Sequence, residues 1–134
     1  VAEVRLAFEI VSSRYQDRAS VPPLEAMADC FSSAAIVLGD PIPDWKSRLD
    51  QPLALALTLD GQPVTALEQS STLSETADFL AWLASHSAQQ GMPLAADTVI
   101  ITGARIGPIP LRGARKALAC FGPVHVEAAF SGTS

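Results

Sequence analysis

Glu9 is the residue of this chain whose type and position most demand a chemical partner. It stands inside Ala7-Phe8-Glu9-Ile10-Val11, an apolar run that reads as a buried strand. A carboxylate in a core strand is costly unless something meets it. The partner can be an arginine (Arg5 or Arg14), a hydrogen-bond network or a divalent metal. On that reading Glu9→Gln stabilises the protein if Glu9 is a ligand without its metal. It costs more than about 1 kcal/mol if Glu9 is paired with an arginine. Ser32-Ser33 follows at the entrance to a second apolar run, Ala34–Leu38. A Ser-Ser pair there is, by itself, an ordinary loop or helix end. Thr102-Gly103-Ala104 closes a third apolar run, where glycine either lets backbone approach a ligand or merely ends a strand.

Other chemistries find little support. His86 lies among polar residues of a helix, and His125 lies in the last strand, far in sequence from any nucleophile. No serine has a Gly-x-Ser-x-Gly context, and neither Cys30 nor Cys120 has an activating neighbour. The two cysteines form neither a disulfide framework nor a metal-ligand spacing, and read as buried thiols of a cytoplasmic protein. A net charge of −5 with scattered basic residues argues against nucleic acid or an anionic membrane as partner. No run approaches the roughly 20 apolar residues that span a bilayer, and no signal-peptide pattern opens the chain. The sequence starts at Val1, as a processed chain or a piece of a longer one would.

The 134 residues suffice for one domain with a core. Hydrophobic residues reach 49% against 17% charged, and mean hydropathy is +0.26. Surface covered by another domain or subunit accounts for that, as does simple alanine richness. Strands are predicted over Val4–Val11, Ala34–Leu38 (closed by Gly39-Asp40), Leu53–Leu59, Val64–Glu68, Asp97–Thr102, Ala117–Phe121 and Val124–Phe130. Leu53 to Leu59 alternates, with four leucines on one face, and Asp60-Gly61 supplies a hairpin turn. A short helix is predicted over Leu24–Cys30 behind Pro22-Pro23. A long one starts at the capping box Thr72–Glu75 and runs to about Gln90, with Gly91 as its stop. Thr76, Leu80, Leu83 and Ser87 share one side of it. Ala77, Ala81, Ala84 and Ala88 form a stripe that would let the helix lie close on a sheet. Trp45 anchors the loop after Pro41. The fold class is α+β, a sheet-rich mixed β roll or sandwich with one long and one short helix.

The segments AFEIVSSR (7–14) and ADCFSSAAIVLG (28–39) resemble the 2-keto-4-pentenoate hydratase family of the fumarylacetoacetate hydrolase superfamily, which also includes 4-oxalocrotonate decarboxylase. The family carries A-(F/L)-E-I-(V/I)-D-S-R and A-D-N-(A/G)-S-S-x-x-(F/Y/I)-V-L-G at matching separation. The resemblance continues through 81–84 and 99–104 into the last hairpin. It implies one domain over 1–134 like the C-terminal catalytic half of those enzymes. It also implies a metal-dependent hydratase or decarboxylase of 2-hydroxypenta-2,4-dienoate type, acting in aromatic catabolism.

On this resemblance Glu9 is one of three acidic ligands of Mg or Mn. The metal would take the oxygens of a small 2-oxo acid substrate. Ser32 and Ser33 would contact the substrate carboxylate. Thr102 and Gly103 would line the site, with Ser32, Ser33 and Thr102 as the catalytic candidates. Arg105 would bind the anionic substrate or close the site with a salt bridge. The family's upstream Glu-x-Glu ligand pair and its lysine have no counterpart here. An upstream segment or another chain would have to supply them, and the expected assembly is a homo-oligomer or a hetero-oligomer with a chain carrying the missing N-terminal half. Ser12, Cys30, Phe31 and Arg105 depart from the family pattern, and Arg112-Gly113-Ala114 replaces its Pro-Gly-Asp turn. These departures leave a second reading, a diverged non-catalytic binding or structural subunit of the same fold.

Overall fold

Leu53, Leu55 and Leu57 alternate with alanines, and that alternation builds the centre of the structure. In the computed structural model, which describes residues 1–69 and 72–131 (the side chains of 65–69 excepted), all three leucines are buried and Ala54 and Ala56 are exposed. Their strand is β3 (Leu53–Leu59) of a four-stranded antiparallel sheet. The other members are β4 (Gln62–Gln69), β5 (Lys116–Phe121) and β6 (Val124–Ala129), in the order β4-β3-β5-β6. Asp60 and Gly61 both take positive φ, 48° and 78°, the geometry of a tight two-residue hairpin turn. The Asp60 carboxylate then accepts from the backbone N–H of Arg115 and Lys116, fastening β5 beside the turn.

A second, two-stranded antiparallel sheet pairs β1 (Arg5–Val11) with β2 (Ser33–Pro41). Leu6 and Phe8 of β1 and Val37 of β2 pack onto the core of Leu57, Ala119 and Val126. The predicted strand end at Gly39-Asp40 is not observed. β2 runs on to Pro41, because Gly39 is the point where it crosses β6. A Cβ on Gly39 would lie 2.4 Å from the His125 carbonyl oxygen and 2.6 Å from Val126 Cβ. The α+β class holds, with one six-residue helix, α1 (Pro23–Ala28), and one seventeen-residue helix, α2 (Leu73–Gln89). The sheets are not mixed, however, since every described pairing is antiparallel. Trp45 packs against the main core as expected.

Two predicted features differ. Residues 97–102 form no strand, and Val99 and Ile101 are exposed. The run has strand-like residues but no ladder partner among the described residues, and a strand exists only through its neighbour's hydrogen bonds. The alanine stripe of α2 does not lie on a sheet either, since Ala81, Ala84 and Ala88 are exposed. The helix is held at its first turn. Leu73 is buried in the core, the Ser74 N–H donates to the Leu49 carbonyl at 2.9 Å, and the Thr72/Glu75 capping box is formed. Thr76, Leu80, Leu83 and Ser87 are half-buried, as their shared side predicted. Phe79 and Trp82 stay exposed, and Trp82 stacks on His86 at 5.1 Å between ring centroids.

Gly39→Ala is expected to destabilise the fold by about 1–3 kcal/mol, because the new methyl meets backbone that cannot step aside. Urea unfolding of the two proteins measures it. An unchanged midpoint would mean that the sheets are not in close contact at this crossing.

Candidate functional site

Asp29 organises the region of the two resembling segments. It ends α1, is 4% exposed, and its carboxylate collects donors from both directions of the chain. Ser13 Oγ donates to Oδ2 at 2.9 Å, and Ser32 Oγ to the same oxygen at 3.1 Å. Arg14 donates twice to Oδ1, from Nη1 at 3.0 Å and from its backbone N–H at 3.3 Å. Its Nη1 also donates to the Asp29 carbonyl at 2.8 Å. Burial pushes the Asp29 carboxyl up. The bonds from Ser13, Arg14 and Ser32 outweigh it and hold the group below the ordinary carboxylate value.

Cys30, Phe31 and Ser32 follow with φ of 49°, 52° and 69°, three successive left-handed residues without a glycine. Each costs roughly 1–2 kcal/mol relative to right-handed backbone. The Asp29 bonds keep them there, together with Ser32 N–H to the Asp29 carbonyl and Ser12 N–H to the Ser32 carbonyl, both at 2.8 Å. Such a run of strain persists only where the surroundings over-determine it.

Glu9 is not where burial reasoning put it. It is exposed, on the outer face of β1. Both arginines weighed as partners are engaged elsewhere, Arg5 with Glu3 at 2.7 Å and Arg14 with Asp29. Among the described residues the Glu9 carboxylate has no hydrogen bond or ion pair. Its cross-strand partner is Ile36, and Val11, two residues on, pairs with Ser33. At about 3.3 Å per residue, Glu9 therefore lies about 7 Å along the strand from the Ser33 pairing. Around it the outer face is apolar, with Val11, Ile36 and Leu38 each 40–45% exposed.

The structure brings Glu9 and Ser32-Ser33 to one end of one small sheet. Thr102, Gly103 and Arg105 are elsewhere. Thr102 and Gly103 are exposed in the irregular segment, where Gly103 takes φ 89° with open space around it. Arg105 is half-buried, and its Nη2 donates to Thr76 Oγ1 at 2.6 Å, tying its loop to α2. A cavity of about 200 Å³ opens beside Asp29, lined by Ser13, Tyr15, Arg18, Val21, Phe31 and Ser32, among others. None of Glu9, Thr102, Gly103 and Arg105 lines it.

No group of three or more His, Cys, Asp or Glu side chains that could hold a metal ion occurs among the described residues. Glu9 offers one hard oxygen donor and does not hold a divalent cation by itself. Asp29 is not among the residues that the sequence pattern singles out. The available signal was that Arg14 and Asp29 each sit inside one of the two resembling segments.

Two relatives match the chain. Each is named 2-keto-4-pentenoate hydratase, one from Paraburkholderia phymatum and one from Burkholderia vietnamiensis. Both are 34% identical over 104 residues, covering 77% of this chain and 38% of the relative's own length. The chain therefore matches well under half the length of these relatives. No family model matches, and no solved structure matches. No helix among the described residues is long and apolar enough to cross a membrane.

Two outcomes follow from the turn. The depressed Asp29 pKa contributes stability that is complete above the unfolded value of about 3.9 and is lost as pH falls through the lower folded value. Denaturation midpoints should therefore fall more steeply below about pH 4 in the parent protein than in Asp29→Asn, which starts less stable at pH 7. Equal slopes would remove Asp29 from this role. Phe31→Gly should stabilise the protein by roughly 0.5–1 kcal/mol, since it relieves a left-handed residue whose ring is 63% exposed. Thermal unfolding reads the change.

Proposed function

We propose that this chain is the part of a 2-keto-4-pentenoate hydratase-type lyase that carries Glu9 and the Ser32-Ser33 turn. It belongs to that family and has the fold of the C-terminal domain of the fumarylacetoacetate hydrolase superfamily. Its substrate is a small 2-oxo acid or its dienol, of the 2-hydroxypenta-2,4-dienoate class. The observation that carries this reading is the exposed carboxylate of Glu9, without a partner among the described residues, beside the Ser32-Ser33 turn, inside two segments that resemble the hydratase family in a chain of which 104 residues match hydratase relatives. A Mg or Mn ion bound there needs further oxygen donors from outside the described residues. Sequence preceding this stretch, or another chain, supplies them. Val11, Ile36 and Leu38 around Glu9 give that segment an apolar surface to cover.

A second reading has its own support. The hydroxyl hydrogens of Ser13 and Ser32 are committed to Asp29, and Arg105 is bonded to Thr76. A hydroxyl has one hydrogen to give, so Ser32 Oγ in this arrangement can only accept. That suits a non-catalytic subunit keeping the hydratase fold, with its polar groups turned to structure.

Calorimetric titration with Mn²⁺, with and without oxalate, separates the two. The lyase reading expects binding in the micromolar to low-millimolar range that oxalate strengthens. Glu9→Gln should abolish that binding while changing unfolding stability by less than about 0.5 kcal/mol, since Glu9 is exposed and unpaired. Absence of binding to the chain, both alone and mixed with a protein carrying the Glu-x-Glu segment, would leave the non-catalytic reading.

A further inference from the structure

The hairpin of β5 and β6 sets a base beside a thiol. The strands turn at Gly122-Pro123, and their register places Cys120 directly across from His125. Opposed residues of an antiparallel pair point to the same face, with Cβ atoms about 4.5–5.5 Å apart. At that spacing the rotamers of the two side chains can bring a thiol and an imidazole within hydrogen-bond reach. In the sequence Cys120 has no activating neighbour; the strand pairing supplies one.

A carboxylate stands on the far side of the imidazole. β6 is the edge strand of its sheet, and β2 crosses it at Gly39. The next residue of β2 is Asp40, whose Oδ2 lies 3.2 Å from His125 Nδ1. Glu127, on the same face as His125, is taken by Lys116 at 2.7 Å. Arg5 feels the charge of Asp40 but bonds to Glu3 and to the Gly39 carbonyl. An acid at Nδ1 favours the tautomer with its hydrogen there, which leaves the Nε2 lone pair to take a proton. Acid, imidazole and thiol thus follow one another across β2, β6 and β5. Such a row does not converge on one point, in keeping with the lack of a metal-holding group among the described residues. On its other side Cys120 faces Ala56 of β3, an exposed residue too small to roof the thiol. Cys120 is half-buried, Cys30 is exposed, and both are free thiols.

We propose that Cys120 is a nucleophilic thiol, served by His125, that exchanges with small disulfides. The Sγ proton passes to His125 Nε2, and the thiolate attacks one sulfur of the disulfide. A new S–S bond forms at Cys120 as the old one breaks. The departing thiolate takes the proton from Nε2, so the exchange is balanced without an oxidant beyond the disulfide itself. Asp40 is a positioning residue, acting only through the imidazole. The site needs neither the Ser32 turn nor a metal, and it stands apart from the lyase reading.

The test is exchange with 2-hydroxyethyl disulfide, an uncharged probe, at pH 7, with the mixed disulfides at Cys120 and Cys30 quantified by peptide mass. Exposure alone makes Cys30 the faster thiol. Cys120 should instead be the faster one, and His125→Gln should slow it at least about fivefold while leaving Cys30 unchanged. Asp40→Ala should slow Cys120 about two- to threefold in the parent, the scale of an exposed ion pair, and not at all in His125→Gln. In denaturing urea the two cysteines should react alike. A Cys120 rate below that of Cys30, or one that His125→Gln leaves unchanged, overturns the proposal. So does a preference for Cys120 that survives in urea, since it would belong to the local sequence and not to the strand pairing.

Discussion

A buried carboxylate with several donors holds the connection between β1 and β2 together. Asp29 ends the short helix between β1 and β2 and receives Ser13 and Arg14 from one strand's exit and Ser32 from the other's entrance. Removing any one donor leaves charge unmet in a place that water scarcely reaches, so the group acts as a unit. Its consequence is the left-handed stretch 30–32, which no local preference of cysteine, phenylalanine or serine would choose. That stretch exposes the Phe31 ring and shapes one wall of the cavity. The chain from Leu6 to Val37 is thus one construction: two strands, a connection, and a carboxylate that closes it.

The rest of the molecule supports this small sheet from behind. Leu6, Phe8 and Val37 lie on the Leu57, Ala119 and Val126 core, and Gly39 lets β2 cross β6 at backbone contact. With its inner face buried, the sheet presents Glu9, Val11, Ile36 and Leu38 outward. These apolar side chains surround a carboxylate that has no partner among the described residues. The aromatic ridge of α2 and the unpaired run at 98–102 tell the same story from the other end of the chain.

Chemically the site divides in two. On the outer face Glu9 presents an exposed carboxylate. Arg18, Tyr15 and Phe31 line the cavity beside Asp29. The two lie at the same end of the β1–β2 sheet but do not share a cavity. The Ser32 hydroxyl, which the family resemblance assigns to substrate, serves here to hold Asp29 together with that of Ser13.

Local signals in the sequence were enough for much of the fold. Alternating leucines specified β3 and its buried face, Asp60-Gly61 specified the turn after it, and Thr72 with Glu75 specified the start of α2. Each of these depends on residues within a few positions of one another. The two family-like segments were also legible, since a motif is read along the chain. Tertiary structure alone decided what depends on distant partners. An apolar run around Glu9 reads as buried on both faces, yet a two-stranded sheet with core on one side leaves every second residue outside. Among the described residues, 97–102 had strand composition but no neighbour to pair with, and the alanines of α2 had no sheet to lie on. Asp29 does not stand out in the sequence because two of its donors, Ser13 and Arg14, are 16 and 15 residues away. Sequence carries the preferences of each segment, whereas burial, pairing and charge compensation belong to pairs of segments and exist only once the chain has folded.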